Sequence, residues 1–215
     1  MLTLHTAPLL LPVGSEPVPD GAVLVEHDRI AAIGPRTELE SVRPEARVRA
    51  WPGVLTPGLR QWHAVFLLKR CYHPDPREAD LLGTEPLTGD ALDTLELNAA
   101  RWSGSVRRGL QQMLRHGTTA VAVTAGDPLL AAPVARSGLA AVPVVGAPAI
   151  LVDAPSLDPF VAGADLAGSV AGPLAAGGRA DFAVFDVPDG QALLERGAAA
   201  CVATVIAGRL LYRRR

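Results

Sequence analysis

The stretch TPGLRQWHAVFL at residues 56–67 decides the fold that the sequence predicts. It follows the proline-broken segment WPGVL at residues 51–55. Pro57 and Gly58 are turn residues, and the apolar run after them predicts a buried strand. His63 lies near the end of this predicted strand, where barrel enzymes of the α/β class hold metal ligands. The stretch therefore predicts a turn, a buried strand and one candidate metal ligand.

Length and charge limit the class of protein. A chain of 215 residues can bury a core as one large domain or two small ones. No apolar run reaches the roughly 18 residues of a membrane span, and the first residues lack the basic start of a signal peptide. The net charge of -2 argues against a nucleic-acid surface. Two cysteines are too few for a disulfide framework, so we expect a cytoplasmic protein that binds neither membranes nor nucleic acids.

The N-terminal part predicts short strands joined by a tight turn. Residues 21–26 and 29–34 are largely apolar and flank His27 and Asp28, a spacing typical of a β-hairpin. We therefore expect His27 to be a turn residue without a direct role in function.

Residues 70–80 form a polar segment rich in groups that bind metal ions or protons. Asp75 lies between two prolines and cannot lie inside a helix, which predicts a loop. Cys71 and His73, two residues apart and close after His63, can complete a metal site at the mouth of a barrel. Alternatively, this is a surface loop whose His and Asp side chains are capped or solvated. In a third interpretation, His73 and Asp75 act as acid and base without a metal.

Residues 91–116 predict the clearest helix, because apolar residues recur there at three- and four-residue steps. We expect Thr88 or Asp90 to cap its start and Gly117 to follow its last turn. His116, in that last turn, is expected to have a structural role.

The segment after this helix predicts a parallel sheet. A β-branched run at 117–123 is typical of a buried strand. A shorter helix is predicted at 128–137 and a third strand in the segment 137–145. Strand, helix and strand in this order form the βαβ pattern.

Five short motifs occur together in an order that resembles the metal-dependent amidohydrolase superfamily. The branch that it resembles most contains imidazolonepropionase and aminodeoxyfutalosine deaminase, which are cytoplasmic enzymes that cleave C–N bonds in small heterocyclic substrates. The motifs are Arg-Ile-x-x-Ile-Gly at 29–34, Pro-Gly-Leu-x-x-x-His at 57–63, Gly-Thr-Thr at 117–119, Gly-x-x-Ala-Asp at 177–181 and Gly-Arg-Leu at 208–210.

The resemblance implies an α/β fold with two parts. Residues 1–56 and 177–215 would form a small composite β-sandwich from both chain ends, with Asp181 in a structural turn. Residues 57–176 would form a truncated TIM-barrel-like parallel βα unit. An eight-fold barrel needs roughly 200 residues, whereas only about 120 lie between Pro57 and Gly177. We therefore expect the middle and later barrel strands to be missing.

The resemblance also implies a damaged metal site. His63 falls on the first histidine of the family's His-x-His pair, but Val65 occupies the second position. A hydrolytic metal needs three or more protein ligands. We therefore expect a degenerate amidohydrolase that binds no cofactor and serves as a binding or partner protein. Its open sheet edges would be covered by a second copy or another protein.

The alternative is a reduced zinc-dependent hydrolase or deaminase that acts on C–N bonds of a small heterocyclic substrate. Its site would be rebuilt from His63, Cys71 and His73 as metal ligands and Asp75 as the catalytic group.

Overall fold

The computed structural model describes residues 2–144 and 156–214. Its strands are β1 Leu2–Leu10, β2 Val18–Glu26, β3 Arg29–Pro35, β4 Arg47–Ala50, β5 Val54–Pro57, β6 Leu59–Gln61, β7 Thr118–Ala122, β8 Ala140–Val142, β9 Phe182–Phe185, β10 Cys201–Ile206 and β11 Arg209–Arg213. Its helices are α1 Arg36–Val42, α2 Ala64–Lys69, α3 Ala79–Leu82, α4 Asp90–Asp93, α5 Ala99–Arg115, α6 Ala131–Ser137, α7 Phe160–Gly163, α8 Leu166–Ser169 and α9 Gly190–Arg196. The predicted α/β class is confirmed.

Strands from both ends of the chain lie in one large sheet. Its order is β11-β10-β9-β5-β1-β2-β3, and β4 pairs with β1 in addition. The two halves join where β5 pairs antiparallel with β9, with Leu55 opposite Val184. Residues far apart in sequence therefore build one continuous hydrogen-bonded layer.

The two ends of this sheet meet over a single core. Val25 and Ile30 at one end pack in the same buried cluster as Phe182 and Val205 at the other. The turn of the β10–β11 hairpin contacts the predicted turn of the β2–β3 hairpin. Gly208, at φ +71°, lies so close to the carbonyl of His27 that a Cβ would collide with it. His27 lies in a tight turn, as predicted.

Asp181 has the structural role that the sequence predicts for it. Its Oδ1 accepts a hydrogen bond from the backbone N–H of Ala207 at 2.8 Å. The same oxygen lies 3.1 Å from Arg179. Burial raises the pKa of this carboxyl. Asp181 thereby ties the start of β9 to the last hairpin.

The middle of the chain forms a small parallel sheet in the order β6-β7-β8. Helices α2 to α5 lie between β6 and β7, and α6 connects β7 to β8, which confirms the predicted βαβ pattern. Gly58 starts this sheet where the chain passes directly against Thr119, leaving no room for a Cβ. The described third strand is shorter than predicted, and residues 145–155 lie outside the described part.

The prediction of one strand after Pro57 is wrong beyond Gln61. Residues 64–69 form helix α2, not a continued strand. Their apolar run lacks a decisive period, so strand and helix are equally compatible with it. Ala64, Leu67 and Leu68 are buried at helical spacing and pack in one cluster with α5. Tertiary packing against α5 selects the helix.

The predicted helix at 91–116 begins later than expected. Helix α5 starts at Ala99, where the Asn98 side chain accepts a hydrogen bond from the backbone N–H of Arg101 at 2.9 Å. Neither Thr88 nor Asp90 caps it. The predicted C-terminal stop is confirmed, because Gly117 follows with φ +73°.

No helix among residues 2–144 and 156–214 is long and apolar enough to cross a membrane.

His5 is a neutral core residue of the large sheet. Only 1% of its surface is exposed. Its Nδ1 accepts a hydrogen bond from Trp51 Nε1 at 3.0 Å. Its ring and that of Phe182 pack in a T-shaped arrangement, with their centroids 4.8 Å apart. Burial, with a smaller contribution from Arg49, lowers the pKa of His5 to about 3.

This lowered pKa predicts acid sensitivity. In the unfolded chain His5 takes up a proton near its ordinary pKa of 6.5, whereas in the folded protein it stays neutral down to about pH 3. Its contribution to stability is therefore complete above pH 6.5 and is lost as the pH falls from there toward 3, by up to roughly 1.4 kcal/mol per pH unit. Urea unfolding at several pH values should show a shallower loss in His5→Gln than in the wild type. Equal slopes in both proteins would contradict the assignment.

Candidate functional site

The loop at residues 70–86 carries three of the four candidate site residues and lies on α5. Tyr72 of this loop is fully buried, and its hydroxyl donates to Glu78 Oε2 at 2.7 Å. Arg101 of α5 donates to Glu78 Oε1 at 2.7 Å. The hydrogen bond from Tyr72 is the largest cause that lowers the pKa of Glu78, to about 2. This ionic network fastens the loop to the helix.

The His73 ring is fully buried between α2 and α5. Its Nε2 lies 2.9 Å from the carbonyl oxygen of Leu67. Because a carbonyl only accepts, Nε2 carries the proton and donates. Its Nδ1 lies 3.4 Å from the carboxamide of Gln112, whose nitrogen can donate to it after a side-chain flip. Burial lowers the pKa of His73 and favours the neutral ring. Both ring nitrogens therefore have protein partners.

Two features of the helices create this seat for His73. Leu67 belongs to the last turn of α2, where carbonyl groups lack partners within the helix. On the other side, α5 carries Gly109, whose added Cβ would lie 2.7 Å from His73 Nε2 and 2.9 Å from Leu68. A side chain at position 109 would therefore fill the space that the imidazole occupies.

Asp75 caps a turn and forms an ion pair. Its Oδ1 accepts from the backbone N–H of Arg77 at 3.1 Å. Its Oδ2 lies 3.2 Å from Nη1 of Arg108. The same guanidinium donates through Nε to the carbonyl of His73 at 2.8 Å. The carboxylate is therefore engaged in holding the loop on α5.

Cys71 lies in the core that α2 and α5 share. It is fully buried. Burial raises the pKa of the thiol to about 11. Because the thiolate is the form that binds metal ions, the protonated thiol is a poor ligand at neutral pH.

His63 is the candidate ligand with an unused ring nitrogen. It precedes α2, and its backbone N–H donates to Gln61 Oε1 at 3.1 Å. Its Nε2 is buried, and no residue of 2–144 or 156–214 hydrogen-bonds to it. Burial lowers the pKa of this histidine. His63 lies at the start of α2, whereas His73 contacts its last turn.

The candidate residues, as arranged, do not fit a zinc ion. Zinc takes four ligands, or three with a water molecule. Within the described ranges, no group of three or more His, Cys, Asp and Glu side chains is placed to hold a metal. Both ring nitrogens of His73 have protein partners, and Asp75 forms an ion pair with Arg108. The metal ligands His63, Cys71 and His73 and the catalytic Asp75 thus stay predictions.

A large polar cleft lies beside these residues. Its volume is about 860 Å³. One wall is the exposed face of α5, a second is the loop at residues 74–86, and Ser156, Leu157 and Asp158 form a third. Asp75 and Arg108 form part of the lining, so the ion pair that holds the loop also shapes the cleft.

Sequence reasoning missed the α5 wall of this cleft. Arg107, Gln111 and Arg115 line it at four-residue steps, which place them on one face of the helix. The signal was present as a polar stripe opposite the apolar stripe of the same helix. The apolar stripe predicted the helix, and no motif in the polar stripe marks it as the wall of a cleft.

One segment matches a family model, the imidazolonepropionase-like composite domain of bacteria, over residues 21–41. These residues cover most of the β2–β3 hairpin and helix α1. Over these residues, the match agrees with the resemblance that the sequence predicts. No curated protein matches the chain.

Three solved structures are similar to part of the chain. A. niger ochratoxinase is 24% identical with a TM-score of 0.44, over 66% of this chain and 30% of that one. A zinc-bound adenosine deaminase from Xanthomonas campestris is 21% identical with a TM-score of 0.40, over 65% and 33%. E. coli guanine deaminase is 15% identical with a TM-score of 0.41, over 66% and 35%. The matched part thus spans about a third of each of these proteins.

The two glycines of α5 allow a matched test of the contact between Gly109 and the His73 ring. Gly109→Ala should lower the free energy of unfolding by about 1–3 kcal/mol, because the new methyl group overlaps His73 and Leu68. Gly104→Ala is the control in the same helix. Its Cβ would meet only the end of the Arg108 side chain, at 3.0 Å, and alanine favours a helix. Urea unfolding measures both, and an equal loss in the two variants would refute the proposed seat.

Proposed function

We propose that this protein is a degenerate amidohydrolase-like protein that binds a ligand or a partner and does not perform the family's full metal-dependent C–N hydrolysis. Residues 1–56 and 177–215 would form its composite β-domain, and residues 57–176 its truncated TIM-barrel-like part. The observation that supports the proposal is the buried position of the His73 ring and its hydrogen bonding. The residue best suited to replace the lost second histidine has both ring nitrogens engaged by the protein.

The face of the small sheet opposite α2 and α5 supports the same proposal. In a complete barrel the face away from the helices is the interior. Here Trp62 and Ala122 on that face pack with Ala162 of α7. Arg60 and Trp62 both donate to the carbonyl of Gly168, at 3.3 and 3.2 Å. The chain's own α7–α8 segment therefore covers a face that the remaining strands of a complete barrel would enclose, which supports the truncated part of the proposal.

A partner role also agrees with the layout of the large sheet. Strands β3 and β11 are the ends of its hydrogen-bonded order, and only the start of β3, at Ile30, is bonded to Gly177 and Gly178 of the same chain. Edge strands present unpaired backbone groups, which a second copy or another protein can cover. We propose a cytoplasmic homo-oligomer or heteromeric complex on this basis. The sequence predicts such an assembly from the open parallel edges of the incomplete barrel.

The second candidate function is a reduced zinc hydrolase or deaminase for a small heterocyclic C–N substrate. One observation favours it, namely the buried Nε2 of His63 without a partner among the described residues. A buried nitrogen of this kind is costly unless a ligand or water satisfies it. Such a site would need further ligands besides His63, because His73 is engaged elsewhere.

Metal analysis separates the two functions. The protein, purified after growth with added zinc and dialysed, should contain substoichiometric zinc, iron and manganese, because residues 2–144 and 156–214 assemble no set of three free ligands. It should also release no ammonia from small heterocyclic amines.

The controls are single histidine variants. His63→Ala removes the unpartnered nitrogen, and His27→Asn changes a histidine of the β2–β3 turn. One metal ion per chain that is lost in His63→Ala and kept in His27→Asn would overturn the proposal in favour of the hydrolase.

A further inference from the structure

The polar cleft beside α5 has a surplus of positive charge on one wall. Arg107 and Arg115 both line it, and neither forms an ion pair with a residue in the described ranges. They are eight residues apart in one helix, which is about 12 Å along its axis. Gln111 lies between them on the same face and offers a further donor.

Two of the three acidic groups in the lining already have partners, one a cation and the other backbone N–H groups. Asp75 forms an ion pair with Arg108. Asp158 accepts backbone hydrogen bonds with both oxygens, from Phe160 at 2.9 Å and from Ala198 at 3.0 Å. Glu85 is the remaining carboxylate, and it is exposed in the loop. The α5 wall is therefore the part of the cleft where guanidinium groups have no ion-pair partner among the described residues.

The rigid backing of this wall suits a binding site. Arg108, the neighbour of Arg107, is fixed by Asp75 and by the carbonyl of His73. The opposite face of α5 is buried through Leu110 and Met113. The helix that presents Arg107 and Arg115 is thus held in place before any ligand arrives, which reduces the entropy lost on binding.

We propose that this cleft binds a small molecule bearing carboxylate or phosphate groups, held by Arg107 and Arg115 with Gln111 between them. A guanidinium donates two parallel hydrogen bonds to a carboxylate or phosphate. A volume of about 860 Å³ suits a metabolite-sized ligand. The polar walls favour such an anion over an apolar heterocycle. This inference rests on the proposed binding function and names the class of its ligand.

Calorimetric titration of the full chain at low ionic strength tests it with two probes, inorganic pyrophosphate and succinate. Saturable one-site binding of either probe is expected, and the stronger one identifies the anion type. The double variant Arg107→Gln with Arg115→Gln should bind at least about tenfold more weakly, because two charge-assisted contacts are lost.

The control double variant is Arg136→Gln with Arg209→Gln. It removes the same two charges from exposed positions outside the cleft. Unchanged affinity in this control, together with the loss in the first variant, is the expected result. The inference is overturned if neither probe binds saturably, or if both double variants weaken binding equally, as a bulk charge effect would.

This readout is independent of the proposed function's own test. A stoichiometric metal with hydrolysis would overturn the proposed function whatever the titration shows. Absence of anion binding without any metal would overturn only the ligand class.

Discussion

The hydrogen bond from His73 to the carbonyl of Leu67, made possible by Gly109, is the contact on which the middle of the structure depends. It joins the last turn of α2, the loop at residues 70–86 and helix α5. With the ring seated, Arg108 reaches both the His73 carbonyl and Asp75. These bonds fix the loop as one wall of the polar cleft. The same contact removes His73 from the set of available metal ligands.

Much of the fold follows from local sequence. The β2–β3 hairpin, the stop at Gly117 and the parallel βαβ pattern are all visible in turn residues and apolar periodicity. The start of α5 was misplaced because Asn98 is a strong cap inside a periodic run that extends before it. The strand predicted through Leu67 failed for another reason. A short, wholly apolar run has no period of its own, so packing against α5 decides its conformation.

The candidate site was harder to predict, for a physical reason. Cys71, His73 and Asp75 have side chains that can bind metal ions, and their spacing gives no sign that other groups consume them. The Leu67 carbonyl lies in α2, and the side chains of Arg108 and Gln112 lie more than thirty residues away in α5. The two glycines within an otherwise regular amphipathic helix were the available signal. Gly109 destabilises an isolated helix, and its presence indicates that another segment approaches closely there.

The family-model match and the candidate site can be compared by their places in the chain. The family model matches the chain in the β2–β3 hairpin and α1, which lie in the composite β-domain proposed for the two chain ends. The candidate metal site lies in the other proposed part, where the second histidine of the family motif is Val65. The segment that matches the family model and the candidate site residues therefore lie in different parts of the chain.

The account's central claim is that His73 is a structural, neutral histidine. Long-range ¹H–¹⁵N NMR of the imidazole rings, assigned with His73→Gln, tests it most directly. We predict a ring protonated only at Nε2, with no titration near pH 6.5 and no change on addition of zinc. A ring that titrates near its ordinary pKa, or whose nitrogen signals shift with one equivalent of zinc, would contradict the account.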